Sequence, residues 1–116
     1  VVPTVVIIDD SDDFLVSAAG LLNEEGFHVV GCVMDPSTAV DEVRRLQPSV
    51  VLLDIQLPTT NGLELAVELA RMDPRPVVVL ISSREASSYG EMLTSAPVRG
   101  FIAKRELSGE ALATMV

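Results

Sequence analysis

Five polar side chains in this sequence each stand where an apolar run stops: Asp9 with Asp10, Asp54, Ser82 and Lys104. A carboxylate alone can cap a helix, coordinate a cation or act as a nucleophile. Three carboxylates brought together repel one another strongly, and are tolerable only with a bound cation or a shared proton. With no His or Cys among them the donor set is all oxygen, which selects a hard ion, and Mg²⁺ held by one or two carboxylates and phosphate oxygens is the usual arrangement. A hydroxyl at Ser82 and an ammonium at Lys104 complete a set suited to the oxygens of a phosphoryl group. Lys104 is the only lysine, the other basic residues being arginines. The chemistry these residues could share is formation of an aspartyl phosphate, with a cation and a lysine neutralising the transferred charge.

That chemistry requires residues far apart in sequence to converge, and the chain supplies elements that do this. Val5 to Ile8, Phe27 to Met34, Val50 to Leu53, Val77 to Ile81 and Gly100 to Ala103 read as strands, most of them unbroken apolar runs buried on both faces. Between them lie helical patterns. Phe14, Leu15, Ala18, Leu21 and Leu22 form one stripe that Gly26 ends, with Ser11 or Asp10 as cap. Asp35-Pro36 reads as N-cap and N1 of a second helix, with Ala39, Val43 and Leu46 inward. A third helix is expected from about Leu63 to Met72. Ala86, Tyr89, Leu93 and Ala96 mark a marginal, Ser-rich fourth. Ser108 opens a fifth, still running at Val116.

Five strands alternating with five helices predict a doubly wound α/β fold, a five-stranded parallel sheet with helices on both faces. All strand C-termini then point to one edge, where such sheets place their ligands, and the five polar residues gather there.

Composition narrows the functions. At 116 residues the chain is one domain, and 48% hydrophobic content supplies an ample core. A net charge of −9 and no basic run longer than Arg44-Arg45 argue against direct nucleic-acid binding by this domain. Phe14, Phe27, Tyr89 and Phe101 are too few and scattered for a base-stacking platform. The single Cys32 excludes an intramolecular disulfide and reads as a small buried hydrophobe, while His28 reads as a surface residue. No apolar stretch has the length of a membrane span, and a cytoplasmic setting is expected. The chain starts without Met and stops within a helix, so further sequence is expected at both ends.

The acidic pair Asp9-Asp10, the segment Asp54-Ile-Gln-Leu-Pro-Thr-Thr-Asn-Gly62, Ser82 after an apolar strand, and Gly100-Phe-Ile-Ala-Lys104 occur in order, each ending a strand. In this the whole chain resembles a response-regulator receiver domain of two-component signalling. The resemblance implies the strand order 2-1-3-4-5 of flavodoxin- and CheY-like sheets. It implies that Asp54 accepts a phosphoryl group from a histidine kinase or a small phosphodonor. Asp10, Asp54 and the Gln56 carbonyl would ligate Mg²⁺, Asp9 would assist through water, and Ser82 and Lys104 would hold phosphoryl oxygens. Ser82 and Phe101 would form the switch, and Gln56 and Arg84, flanking the path of the attacking water, would tune the phosphoryl lifetime. The changed surface would be that of the fourth helix, the fifth strand and the fifth helix, where a partner or second protomer docks. Leu80-Ile-Ser-Ser-Arg-Glu and Arg99-Gly-Phe-Ile-Ala-Lys-Arg-Glu-Leu are similar to the NarL/LuxR-type subgroup, which implies a helix-turn-helix DNA-binding output domain beyond residue 116. Two residues depart from the family pattern. Arg105 stands where Pro is frequent, and Phe101 where Tyr is common.

Taken singly, each residue has a plainer reading: Asp9, Asp10 and Ser82 as helix caps, Asp54 as a loop carboxylate, Lys104 as a solvated surface lysine. Their coincidence at one edge defeats those readings. An aspartyl phosphatase would need a second acid two residues after Asp54, where Gln56 stands. A flavodoxin-like cofactor site would need a phosphate cradle after the first strand, where the sequence is Asp-Asp-Ser-Asp-Asp. The remaining alternative is a pseudo-receiver that binds proteins without being phosphorylated.

Overall fold

The computed structural model describes residues 2–57, 61–85, 88–90, 93 and 96–116. Its strands are β1 (Thr4–Ile8), β2 (His28–Val33), β3 (Val50–Asp54), β4 (Val77–Ser82) and β5 (Gly100–Ala103). The helices are α1 (Asp12–Glu24), α2 (Ala39–Leu46), α3 (Gly62–Ala70) and α4 (Gly109–Ala113), with 3₁₀ turns at Pro36–Thr38 and Lys104–Glu106. The strands form one sheet in the order β2-β1-β3-β4-β5, every pair parallel. This is the doubly wound architecture expected from the sequence, in the strand order that the resemblance implies.

The unbroken apolar runs follow from having helices on both faces. Alternate strand residues point to opposite sides, so Val6, Ile8, Val51, Leu53, Val78 and Leu80 pack with Val43 of α2 and Leu65 and Leu69 of α3. Val5, Ile7, Val50, Leu52, Val79 and Ile81 pack on the other side with Leu15 and Leu22 of α1 and Leu112 of α4. In the central strands β1, β3 and β4 neither face can accept a polar side chain midway, so polarity returns near their ends.

Local signals set the boundaries. Of the two caps open at α1, Ser11 serves: its Oγ accepts from the Phe14 N–H at 3.3 Å. Gly26 follows that helix at φ +100°, a conformation costly for residues with a Cβ. Asn61 and Ser108 cap α3 and α4 through side-chain oxygens. Asp35 accepts from the Ser37 N–H, but the turn it opens is 3₁₀ and α2 starts only at Ala39. The expected third helix stops at Ala70, two residues short of Met72. The segment 84–96, expected as a helix, lies in part outside the described residues. No helix among the described residues is long and apolar enough to cross a membrane.

Two expectations are overturned. The last helix ends at Ala113 and does not run on to Val116. Cys32 is exposed, not buried. It lies on β2, an edge strand paired only with β1, and the β1–β2 register shifts between Val5 and Val6. Of the six β2 residues only Val33 is buried. His28 is exposed, as its sequence context suggested.

Candidate functional site

The expected residues meet at the C-terminal edge of the sheet. Asp9 directly follows β1 and is fully buried; its N–H donates to the Val33 carbonyl at 3.0 Å and its Oδ1 accepts from the Ser11 N–H at 2.8 Å. Asp10, next along, is exposed. Asp54 closes β3 with 2% exposure, its Oδ1 accepting from the Gln56 N–H at 2.9 Å. Lys104 follows β5 and brings Nζ to 2.6 Å from Asp9 Oδ2 and 3.5 Å from Asp54 Oδ2. Its ammonium also lies 4.5 Å from the centre of the Phe14 ring, a cation–π distance.

Burial raises the Asp54 carboxyl above its ordinary value. The Gln56 N–H pulls against this, the Asp9 charge adds to it, and Lys104 opposes it. Burial pulls the Lys104 ammonium down, but its close contact with Asp9 and the charge of Asp54 outweigh that and leave it raised. The site is thus a desolvated cluster in which one lysine serves two buried acids, Asp9 and Asp54.

Asp9, Asp10 and Asp54 each offer one carboxylate oxygen, all within 4.8 Å of one another. Asp9 Oδ2 is buried and no donor reaches it with hydrogen-bond geometry, so its contact with Lys104 is electrostatic. Three converging carboxylate oxygens, with no nitrogen or sulfur ligand in the cluster, fit a hard divalent cation.

Around Ser82, which is fully buried, the structure brings together more than the sequence suggested. Its Oγ lies 3.0 Å from Gln56 Oε1 and 2.5 Å from Tyr89 Oη, and accepts from the Arg84 N–H at 3.1 Å. Ser83 Oγ also donates to Gln56 Oε1, at 3.0 Å. Gln56 therefore enters this region by its N–H and side chain, and Arg84 by its backbone. Phe101, half-buried on β5 beside Leu80, packs against Tyr89. Arg105, in the position where the family often has Pro, forms an exposed ion pair with Glu85.

Sequence reasoning missed the contacts of Phe14 and Tyr89. Both were assigned to apolar stripes by helical spacing, which says nothing of a ring face under a lysine or of a phenol aimed at a serine. The one available signal for Tyr89 was a lone hydroxyl-bearing aromatic seven residues past Ser82.

A five-stranded 2-1-3-4-5 sheet with an acid cluster and lysine at its C-terminal edge defines a class, and comparison with known proteins agrees. The family model of the response regulator receiver domain matches residues 5–116, and the chain belongs to that family, the receiver domains of two-component systems. This family generally places a divalent metal at its acidic pocket and interacts with histidine kinases. Among curated proteins, the DNA-binding transcriptional activator EvgA of Escherichia coli K12 is 25% identical over 101 residues, 87% of this chain and 50% of EvgA. A protein-glutamate methylesterase/protein-glutamine glutaminase of Xanthomonas oryzae pv. oryzae is 37% identical over 82 residues, 70% of this chain and 23% of that protein. The chain thus spans half the length of one relative and less of the other. A LuxR-family two-component response regulator from Aurantimonas sp. SI85-9A1 has the same fold, with TM-score 0.84 and 19% identity over 98% of this chain and 81% of that one.

Proposed function

We propose that Asp54 accepts a phosphoryl group from a histidine kinase or a small phosphodonor, and that the phosphorylated domain controls an output. The observation that carries this reading is the convergence of a buried Asp54 with Lys104 Nζ and the carboxylates of Asp9 and Asp10. A carboxylate oxygen of Asp54 attacks phosphorus, and the bond from phosphorus to the donor breaks with its electron pair leaving on the donor. Lys104 is close enough to follow the charge from the carboxylate onto a phosphoryl oxygen, and Ser82 lies on the adjacent strand to donate to another. Asp9, Asp10 and Asp54, with the Gln56 carbonyl, would hold Mg²⁺, whose charge when bound stabilises the phosphoryl oxygens. Gln56 and Arg84 border Ser82 and tune the lifetime of the phosphoryl group.

The output is transcriptional. The similarity to EvgA, a DNA-binding transcriptional activator only half covered by this chain, supports a DNA-binding domain after residue 116. Phosphorylation acts on the surface around segment 84–96, β5 and α4, promoting a homodimer there, and the protein works in the cytoplasm. The pseudo-receiver alternative is not favoured, since Asp9, Asp10, Asp54, Ser82 and Lys104 are all present.

Incubation with acetyl phosphate and intact-mass measurement tests the assignment. One phosphoryl adduct is expected with Mg²⁺, none with EDTA and none on Asp54→Asn. An adduct that persists in Asp54→Asn, or forms equally without divalent metal, sinks it.

A further inference from the structure

Ser82 Oγ has one proton and two lone pairs, and its neighbours engage all three. The Arg84 N–H takes one lone pair. Gln56 Oε1 can only accept, so the Ser82 proton is directed there. The bond to Tyr89 Oη must then have the phenol as donor, into the second lone pair. Phe101 has no polar atom and cannot bond to Ser82 itself. Its ring instead meets that of Tyr89, with centroids 6.0 Å apart and planes at 52°, within the range of attractive aromatic pairs. Tyr89 therefore touches the Ser82 hydroxyl with its polar end and Phe101 with its ring.

We propose that Tyr89 is the positioning residue through which Ser82 moves Phe101. The proposal rests on the phosphoacceptor reading. A phosphoryl group on Asp54 is a charged acceptor and competes for the single Ser82 proton against the neutral Gln56 oxygen, which it outweighs. Ser82 Oγ turns away from Gln56 and its lone pairs turn with it. The phenol of Tyr89 either follows them or loses its acceptor, and in both cases its ring leaves the present seat. Phe101 then repacks because the ring it lies against has moved. The hydroxyl that senses the phosphoryl group and the aromatic ring that changes the β5 surface are thus separate side chains, with Tyr89 between them.

Tyr89 is the sole tyrosine and the chain has no tryptophan, so near-ultraviolet absorption above the phenylalanine bands reports this phenol alone. Without any phosphoryl analogue, Ser82→Ala is expected to shift the phenol band by removing its acceptor; an unmoved band overturns the contact. With Mg²⁺ and beryllium fluoride, the parent chain is expected to show bound fluoride by ¹⁹F NMR, a shifted phenol band and shifted Phe101 ring resonances. Tyr89→Phe keeps the ring and loses only the hydroxyl. It is expected still to bind the fluoride complex, as read by ¹⁹F NMR at saturation, while its Phe101 shift falls by more than half. A Phe101 response equal to the parent's in Tyr89→Phe overturns the relay and leaves the phosphoacceptor reading standing. A parent chain that takes up no fluoride complex overturns that reading and the relay with it.

Discussion

The surroundings of Asp54 work against its charged form, burial above all. Its folded-state value lies above the ordinary 3.8, chiefly through burial. Below that ordinary value the group is protonated in folded and unfolded chains alike. As pH rises from there toward the raised value the unfolded chain ionises first, so stability falls, and above the raised value the loss is complete. Asp54→Asn keeps the shape without the charge. It is expected to flatten this limb and, at neutral pH without metal, to gain on the order of 1 kcal/mol, a few degrees in Tm. Thermal melts across the acid range in EDTA check both. Lys104 has the opposite sign: a raised value means its contribution is intact below its ordinary 10.5 and is lost as pH climbs through the raised one. Lys104→Met should remove that alkaline limb and leave the acids less well compensated.

Among the elements, α3 sets the loop after Asp54 by close approach. A Cβ on Gly62 would lie 2.7 Å from the Asp54 carbonyl oxygen and 2.8 Å from Ile55 Cα, both backbone atoms that cannot step aside. Gly62→Ala is expected to cost about 1–3 kcal/mol and to slow phosphorylation by displacing the Asp54 carboxylate. Gly20, inside α1 with nothing within 4 Å of its would-be Cβ, is the control. Gly20→Ala should stabilise by roughly 0.5–1 kcal/mol, and denaturant melts of the two variants separate packing from helix propensity. The same elements show what the sequence could reveal. β1, β3 and β4 were legible because helices cover both faces, so each is an apolar run that a polar residue ends. β2 has a similar composition, but its exposure depends on lying at the edge, and strand order is not written in hydropathy. Hence the sheet edge holding Asp9, Asp54, Ser82 and Lys104 could be read, while exposed Cys32 could not. Tyr89 escaped for a related reason: its partners sit on β4 and β5, and helical spacing carries no information about contacts across a sheet.

At the scale of the molecule, a chain of net charge −9 concentrates three acids against one lysine at a single rim. A divalent ion bound only by the folded form stabilises it by mass action and relieves that repulsion, so Mg²⁺ should raise Tm, by roughly 2.7 kcal/mol of stability at a hundredfold excess over Kd. Asp10→Asn, changing the exposed acid, should raise the metal-free Tm and shrink the Mg²⁺ increment; scanning calorimetry with and without the ion measures both. The all-parallel sheet has a kinetic consequence too. Among the described residues no two strands form a hairpin, and the earliest pairing available during synthesis joins Thr4 to His28, across the whole of α1. The other side of β1 must await Val50 for its partner. The apolar run Val5 to Ile8 therefore leaves the ribosome well before either neighbour, and one of its two edges stays open until β3 is made. Such non-local closure belongs to the slower end of folding for domains of this size, and early exposure of that strand is where a chaperone would engage a nascent chain.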